Sequence, residues 1–189
     1  MMKKELIIPV IIIAVILVFV FIFINSNKSN ETIQQENTQK SGKVINQVIL
    51  DTKLKDIRTG ENFKISDFSD KPVLLESFAV WCPTCTSQQR EIKKLHEEVG
   101  ESVVSISLDT DPNEDEARIL QHISSNNFEW YYAISPVELT RALIDEFGIS
   151  IVNAPSAPVI LICNNEARKL DSGVKSVSEL KKEIESCNG

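Results

Sequence analysis

The chain has 189 residues, enough for one domain of ordinary size and an appendage but too few for two full domains. Its formal net charge is -7, and its lysines and arginines form no basic stripe. Nucleic-acid binding needs clustered positive charge to replace counterions, so the composition excludes nucleic acid as an expected partner.

An apolar run without charged or polar side chains, Leu6–Ile24, lies near the start of the chain. At about 1.5 Å per residue, a helix of this length spans the roughly 30 Å apolar core of a bilayer. A cleaved signal peptide and a buried helix are the alternatives. No small-residue cleavage site follows Ile24, and a buried core helix of this length is rarely apolar on every side. We therefore predict that residues 1–24 are an uncleaved anchor in the cell membrane.

The charges before this run predict the orientation of the chain. Lys3 and Lys4 precede the apolar residues, and positive charge is retained on the cytoplasmic side of a membrane. The N-terminus is expected in the cytoplasm and the rest of the chain outside it. Residues 25–43 are polar and too poor in apolar groups to fold, so they predict a flexible linker to a domain over residues 44–189.

Periodic apolar residues from Val44 onward predict alternating strands and helices. Val44–Leu50 and Asn62–Ile65 read as a leading β-element, and the remaining predicted strands are Val73–Phe78, Ser102–Leu108, Trp130–Ile134, Val159–Cys163 and Ala167–Leu170. Predicted helices carry Ile92, Leu95 and Val99, then cover Asp111–Asn126 and Pro136–Phe147, and end with one opened by Ser176 whose inner face is Leu180, Ile184 and Cys187. This order predicts an α/β fold with a mixed central sheet flanked by helices.

Two helix starts carry specific capping signals. Asp111 is expected to cap the first, with Pro112 at its first position and Glu114 reaching back as a capping box. Ser176 and Glu179 form a capping box at the start of the last helix. Gly148 is expected to end the helix Pro136–Phe147, and Asn164-Asn165 between the last two predicted strands indicates a hairpin.

Cys82-Pro83-Thr84-Cys85 lies where the strand Val73–Phe78 passes into a helix. Two cysteines at this spacing can close a small disulfide, and the first lies at the positive end of the helix dipole. That position favours the thiolate, which is the attacking species in thiol-disulfide exchange. Cys82 is therefore the predicted nucleophile, on the exposed side of the motif, and Cys85 the resolving residue.

Two other interpretations of the cysteine pair are weaker. A zinc site needs a second pair of ligands, but His96, His122, Cys163 and Cys187 are scattered singly. A structural disulfide across two intervening residues closes too small a loop to constrain the unfolded chain. Redox chemistry with no metal and no bound cofactor, other than the Cys82–Cys85 disulfide, is the expected activity.

Trp81-Cys82-Pro83-Thr84-Cys85 after an apolar strand resembles the thioredoxin superfamily. The leading β-element and the helix inserted at 111–126 are similar to the membrane-tethered TlpA-like and ResA-like thiol-disulfide oxidoreductases. The resemblance covers about residues 44–189 and implies a thioredoxin-like fold. It also implies a substrate-binding role for Trp81, Pro83 and Thr84 beside the two cysteines.

The resemblance further implies a buried acid six residues before the first cysteine, where this chain has Glu76. A carboxyl among Leu74, Leu75 and Phe78 would be desolvated, which raises its pKa toward a value useful for proton transfer. The alternative is a glutamate that turns to solvent at the sheet edge. Some extracytoplasmic reductases of this type carry a Glu three residues after the second Cys, where this chain has Gln88, so Glu76 is the predicted acid-base residue.

A proline faces the disulfide in this family, usually with a cis peptide bond, and Pro155 and Pro158 are the two candidates. Pro158 immediately precedes an uninterrupted strand, whereas choosing Pro155 would place Pro158 inside a strand. Ala157 and a cis Pro158 are therefore predicted to pack against the cysteine pair.

Cys163 and Cys187 are left over, and a second disulfide and two buried thiols both remain open. The predicted function is exchange with protein thiols and disulfides, with a membrane electron donor or acceptor as partner. The direction of electron flow stays open, although the resemblance favours reduction of specific partners such as apocytochrome c. A copper metallochaperone on the same fold is the alternative, weakened because no histidine is obviously placed beside the pair.

Overall fold

The computed structural model describes residues 43–188. The predicted anchor, residues 1–24, and the predicted linker as far as residue 42 lie outside this part of the chain. Within residues 43–188, no helix is both long and apolar enough to cross a membrane.

Strands and helices alternate through most of the described residues. The strands are β1 (Lys43–Val44), β2 (Leu54–Lys55), β3 (Asn62–Phe63), β4 (Val73–Phe78), β5 (Val104–Asp109), β6 (Tyr131–Ile134), β7 (Val159–Cys163) and β8 (Glu166–Lys169). The α-helices are α1 (Gln47–Asp51), α2 (Pro83–Val99), α3 (Glu116–Asn126), α4 (Val137–Phe147) and α5 (Val177–Glu185). Short 3₁₀ turns cover Ile65–Phe68, Gly100–Ser102, Ile149–Val152, Ala154–Ser156 and Ser186–Asn188.

Six strands form one mixed sheet in the order β1-β8-β7-β4-β5-β6, which confirms the predicted α/β architecture. β4, β5 and β6 are parallel, whereas β7 pairs with β4, β8 with β7 and β1 with β8 in antiparallel fashion. β2 and β3 form a separate antiparallel hairpin. The carboxyl ends of the three parallel strands therefore meet at one edge, where α2 also begins.

Each face of β4 packs on a different apolar layer because side chains alternate along a strand. Val73 and Leu75 pack with α1 and α4, whereas Leu74 and Phe78 pack with α2, α3 and the two cysteines of the motif. Glu76 alternates in step with Leu74 and Phe78, so its side chain lies on the same face of β4. The strand thus turns one carboxyl toward the layer that holds Cys82 and Cys85.

The predicted strand Val44–Leu50 is wrong beyond Val44. Residues 47–51 form the short helix α1, and the Asn46 side chain caps it by accepting the backbone N–H of Val48. Ile49 and Leu50 are buried on one side of this helix. A run this short satisfies both helical and strand spacing, so its periodicity did not discriminate between them.

The prediction that a helix starts at Asp111 is also wrong. α3 begins at Glu116, and Asp115 caps it by accepting the backbone N–H of Arg118. The side chain of Glu114 instead turns inward and accepts the backbone N–H of Val80. Several acidic residues in this loop could each serve as a cap, and the contact with the β4–α2 turn decided between them.

The C-terminal turns follow the predictions closely. α4 ends at Gly148, whose φ of 80° lies in the left-handed region that glycine tolerates. Asn164 and Asn165 join β7 to β8 with positive φ angles of 52° and 65°, as a tight hairpin requires. Ser176 and Glu179 form the predicted capping box of α5.

Cys163 and Cys187 form a disulfide, with their Cα atoms 5.5 Å apart. Since the two cysteines are 24 positions apart, the chain-entropy model predicts that the bridge stabilises the fold by about 3.5 kcal/mol. Replacing both with alanine should lower the free energy of unfolding in urea by that amount. A count of free thiols in the denatured, fully oxidised wild-type protein checks the pairing itself: none are expected, and two would contradict it.

Candidate active site

Cys82 is the N-cap of α2 and follows β4 through a short turn. Its Sγ accepts the backbone N–H of Cys85 at 3.1 Å. Pro83 takes the first helical position, where a missing N–H costs nothing, and the remaining N–H groups of the first turn point toward the cap. The helix start therefore stabilises negative charge on the Cys82 sulfur.

The predicted exposure of Cys82 is wrong in this structure. The residue is 0 % exposed, because it packs in the apolar layer that also holds Leu74 and Phe78 of β4. Trp81 and Pro83 on either side of it are exposed, and Thr84 is half-buried. Neighbouring side chains must therefore move before a substrate sulfur can reach Cys82.

Cys85 lies deeper and is held as a thiol. Its Sγ donates to the backbone carbonyl oxygen of Ala154 at 3.1 Å. Burial raises the pKa of the Cys85 thiol, and the neighbouring Cys82 and a negative charge on Glu76 raise it further. Resolution by Cys85 therefore requires a group that removes its proton.

The prediction that Pro158 has a cis peptide bond is wrong. No peptide bond within residues 43–188 is cis. Pro158 and Ala157 are buried, but the Pro158 carbonyl accepts the N–H of Ser77, so this residue already belongs to the pairing of β7 with β4. The contact with Cys85 comes from Ala154, immediately before the alternative candidate, Pro155.

Glu76 is fully buried beside the motif, as predicted. Its Oε2 accepts hydrogen bonds from Gln89 Nε2 at 3.1 Å and Ser107 Oγ at 2.9 Å, whereas Oε1 has no partner among the described residues. Burial raises the pKa of Glu76 to about 8, against the opposing effect of the two hydrogen bonds. The carboxyl can therefore exchange a proton near neutral pH.

Two further side chains orient the two donors to Glu76. Trp130 Nε1 donates to Ser107 Oγ at 3.0 Å, and His122 Nε2 lies 2.6 Å from Gln89 Oε1. Burial lowers the pKa of His122, which favours the neutral ring with its proton on Nε2 toward Gln89. The network leaves Oε2 occupied, so Oε1 is the oxygen that remains for proton transfer.

Acidic residues of the β5–α3 loop accept hydrogen bonds from the two residues that precede Cys82. Trp81 Nε1 donates to Asp111 Oδ2 at 2.6 Å, and the Val80 N–H donates to Glu114 Oε2 at 2.7 Å. Asp109 is buried behind them, and burial raises its pKa to about 7. These contacts draw the Trp81 indole to the loop and leave the residue 58 % exposed.

The sequence interpretation missed Lys175 and assigned no contact to Gln88. Both are buried, and the Gln88 side chain bonds the backbone of Lys175 in both directions. Lys175 lies in a polar loop ahead of a helix, a context in which lysine is ordinarily solvated, so nothing in the pattern marks it. The only signal at Gln88 was its departure from the Glu found in some reductases.

Other groups that could carry chemistry lie apart from the pair. His96 Nε2 contacts Ser105 Oγ at 2.9 Å, and its ring stacks on Trp130. Within residues 43–188, no cluster of three or more His, Cys, Asp or Glu side chains is arranged to hold a metal ion.

Comparison with known proteins connects this geometry to a family. A family model described as Redoxin matches residues 43–182, and no curated protein matches the chain. A thiol:disulfide interchange protein of the thioredoxin family from Chlorobium tepidum superposes with a TM-score of 0.65 at 14% identity, covering 79% of this chain and 98% of that one.

Two further solved structures are similar to the chain. A secreted thiol-disulfide isomerase from Corynebacterium glutamicum has a TM-score of 0.62 at 14% identity, and the match covers 75% of this chain and 86% of the isomerase. A protein from Aquifex aeolicus described as a putative electron transport protein has a TM-score of 0.59 at 19% identity, over 74% and 94%. At such identities the likeness establishes the thioredoxin-like fold.

Proposed function

The chain belongs to the Redoxin family and is a thioredoxin-like thiol-disulfide oxidoreductase, and from this premise we propose that it reduces protein disulfides outside the cytoplasm from a membrane anchor. The contact that carries the chemistry is the 3.1 Å hydrogen bond from the Cys85 N–H to the Cys82 sulfur. This contact supports Cys82 as the attacking sulfur, with Cys85 as the resolving thiol.

The reaction begins when the Cys82 thiolate attacks one sulfur of a substrate disulfide and releases the other as a thiolate. A mixed disulfide between Cys82 and the substrate results. Cys85 then loses its proton to the Glu76 carboxylate and attacks Cys82, which frees the second substrate sulfur. Two electrons pass from the dithiol to the substrate, and a Cys82–Cys85 disulfide remains.

The closed disulfide must be reduced again before another turnover. Since no bound cofactor is proposed, we assign this step to a membrane electron donor that exchanges with Cys82. Trp81, Pro83 and Thr84 are the proposed contacts with substrate, because they form the outer surface of the motif. Protein disulfides of secreted proteins, including the haem-binding cysteine pair of apocytochrome c, are the proposed substrates.

Two observations support a location outside the cytoplasm. The run Leu6–Ile24 behind Lys3 and Lys4 is the proposed span, with the N-terminus in the cytoplasm. The Cys163–Cys187 disulfide is of the kind that persists in oxidising compartments and is rare in the cytosol. A secreted protein among the similar structures agrees with the same location.

Location is tested with intact cells that express the full-length chain. In a chain whose Cys82 and Cys85 are replaced by serine, a maleimide that cannot cross the membrane should label a cysteine engineered at an exposed position of α2, Glu97→Cys, and alkaline carbonate should leave the protein in the membrane pellet. In the same background, Met2→Cys lies in the proposed cytoplasmic segment and leaves Lys3 and Lys4 in place; it is the matched control and should be labelled only after lysis. Release of a domain with its N-terminus near Asn25 would show that the span is cleaved.

A further inference from the structure

Lys175 is a lysine in an unusual environment. It lies between β8 and α5, directly before the N-cap Ser176, and is only 6 % exposed. Its Nζ donates to the carbonyl oxygens of Ala157 at 2.5 Å, Gly173 at 2.7 Å and Asp171 at 3.2 Å. Lysine is almost never this buried unless its charge is compensated, so the site supplies compensation from nearby groups.

The backbone of Lys175 is tied to the helix that carries the cysteines. Its N–H donates to Gln88 Oε1 at 2.7 Å, and Gln88 Nε2 donates to its carbonyl oxygen at 3.2 Å. Gln88 lies one turn after Cys85 on α2. These two hydrogen bonds attach the loop before α5 to the helix that carries the resolving thiol.

The ammonium is also tied to the segment that contacts Cys85. Ala157 has a φ of 44°, a left-handed conformation that is strained for a residue with a side chain, and its carbonyl is the one nearest to Lys175 Nζ. The Gly173 N–H adds a second bond to this segment by donating to Ser156 O at 2.8 Å. At its other end, Ala154 accepts the Cys85 thiol.

Charge links Lys175 to the proton-transfer groups. Burial lowers the pKa of Lys175 to about 8, and negative charge on Glu76 opposes that shift. The lysine in turn lowers the Glu76 pKa. The titratable groups that act on the ammonium are Glu76 on β4, Cys85 on α2, Asp171 in its own loop and Glu179 on α5. Among them, Glu76 and Cys85 are the two that exchange a proton in the proposed reaction.

We propose, on the basis of the dithiol exchange above, that Lys175 is a positioning and charge-compensating residue of this site. Its ammonium holds the Ala157 carbonyl and stabilises the single negative charge that passes from Glu76 to Cys85 during resolution. In that step the Cys85 S–H bond breaks, the proton goes to Glu76, the Cys85–Cys82 bond forms, and the Cys82–substrate bond breaks with its electron pair on the departing sulfur. One negative charge is present throughout until the substrate thiolate leaves.

Replacement of Lys175 separates its charge from its contacts. Lys175→Met removes both, Lys175→Gln keeps a donor without charge, and Lys175→Arg keeps the charge. Lys181→Met is the matched control, because Lys181 is a surface residue of α5 paired with Glu98 at 2.9 Å. The readout is single-turnover resolution of a preformed mixed disulfide between Cys82 and a peptide, measured across pH.

Without the buried cation, Glu76 and Cys85 both hold their protons more tightly, so the midpoint of the pH profile should move upward. We expect a shift of about one pH unit and a rate about tenfold lower at neutral pH for the Met and Gln variants, since one pKa unit is a factor of ten. Lys175→Arg should restore the midpoint, and Lys181→Met should match the wild type. A Met or Gln variant that is less stable but has the wild-type profile would overturn the proposal.

A reciprocal measurement leaves Lys175 unchanged and therefore does not depend on the folding of its variants. In ¹³C-labelled protein, Glu76→Gln should lower the titration midpoint of the Lys175 side chain, because coupling between two sites acts equally in both directions. An unchanged midpoint would refute the charge coupling. If the wild type resolves no mixed disulfide at all, the proposed oxidoreductase cycle fails, while the NMR titration still decides whether Lys175 and Glu76 are coupled.

Discussion

Replacement of Cys85 with serine is expected to trap the protein in covalent complexes with its substrates. The Cys82 thiolate can still attack a substrate disulfide, because the backbone N–H that stabilises it belongs to residue 85 regardless of the side chain. Without the second thiol the mixed disulfide cannot resolve, and steady-state turnover should fall by about 10³-fold or more, as expected when a member of a catalytic unit is removed.

The trapped complexes are measured by non-reducing electrophoresis of membranes from cells that express the variant, followed by identification of the captured chains. Cys82→Ser is the control and should capture nothing. One or two haem-binding apoproteins would indicate cytochrome c maturation, whereas a broad set would indicate general disulfide reduction. If neither variant captures protein and the wild type binds copper stoichiometrically through both sulfurs, the metallochaperone replaces the oxidoreductase.

Replacement of Glu76 with glutamine is expected to slow the resolving step and change its dependence on pH. With a pKa of about 8, only about a tenth of Glu76 is ionised at pH 7, so the wild-type rate should rise with pH until Glu76 is fully charged. The variant has no such rise. Because a positioned base contributes roughly 10²-fold or more, the loss should be largest above pH 8.

Stopped-flow measurement of resolution between pH 5 and 10 tests this effect. Asp109→Asn is a matched control, since Asp109 is a second buried acid whose pKa is raised to about 7, on the neighbouring strand. That variant should keep the rise near pH 8. A Glu76→Gln profile that coincides with the wild type would remove Glu76 from the mechanism.

The same substitution has a consequence for stability. The folded pKa of Glu76 is raised from 4.5 to about 8, so between these values the native state holds a proton that the unfolded chain has released. The wild type should therefore lose about 1.4 kcal/mol of stability per pH unit across this window from Glu76 alone. Glu76→Gln removes that slope, and urea unfolding at pH 5 and pH 8 measures the difference.

The local pattern of the chain was sufficient for the core strands and the reactive pair. β4 was predicted at its observed bounds, because four of its six residues are apolar and a short, largely apolar segment is typical of a strand covered on both faces. Cys82 at a helix start, the Asn164-Asn165 hairpin and the capping box of Ser176 depend on residues only a few positions apart. Glu76 followed from the family resemblance, by its position six residues before Cys82 and its apolar neighbours on β4.

Only the tertiary structure decided which proline segment meets the cysteines and what compensates the buried carboxyl. Ala154 accepts the hydrogen bond of Cys85, whereas the Pro158 carbonyl accepts the N–H of Ser77 on β4. Lys175 lies 90 positions beyond Cys85 in the chain, and its Nζ donates to backbone carbonyl oxygens. Any residue type supplies such an oxygen, so the sequence does not mark the contact.

The burial of Cys82 has the same origin, because the residue lies in the apolar layer that β4, α2 and α3 form together. Sequence spacing reports contacts along one element. Contacts between backbone groups of distant elements depend on how the elements pack, and that packing determines the protonation of this site.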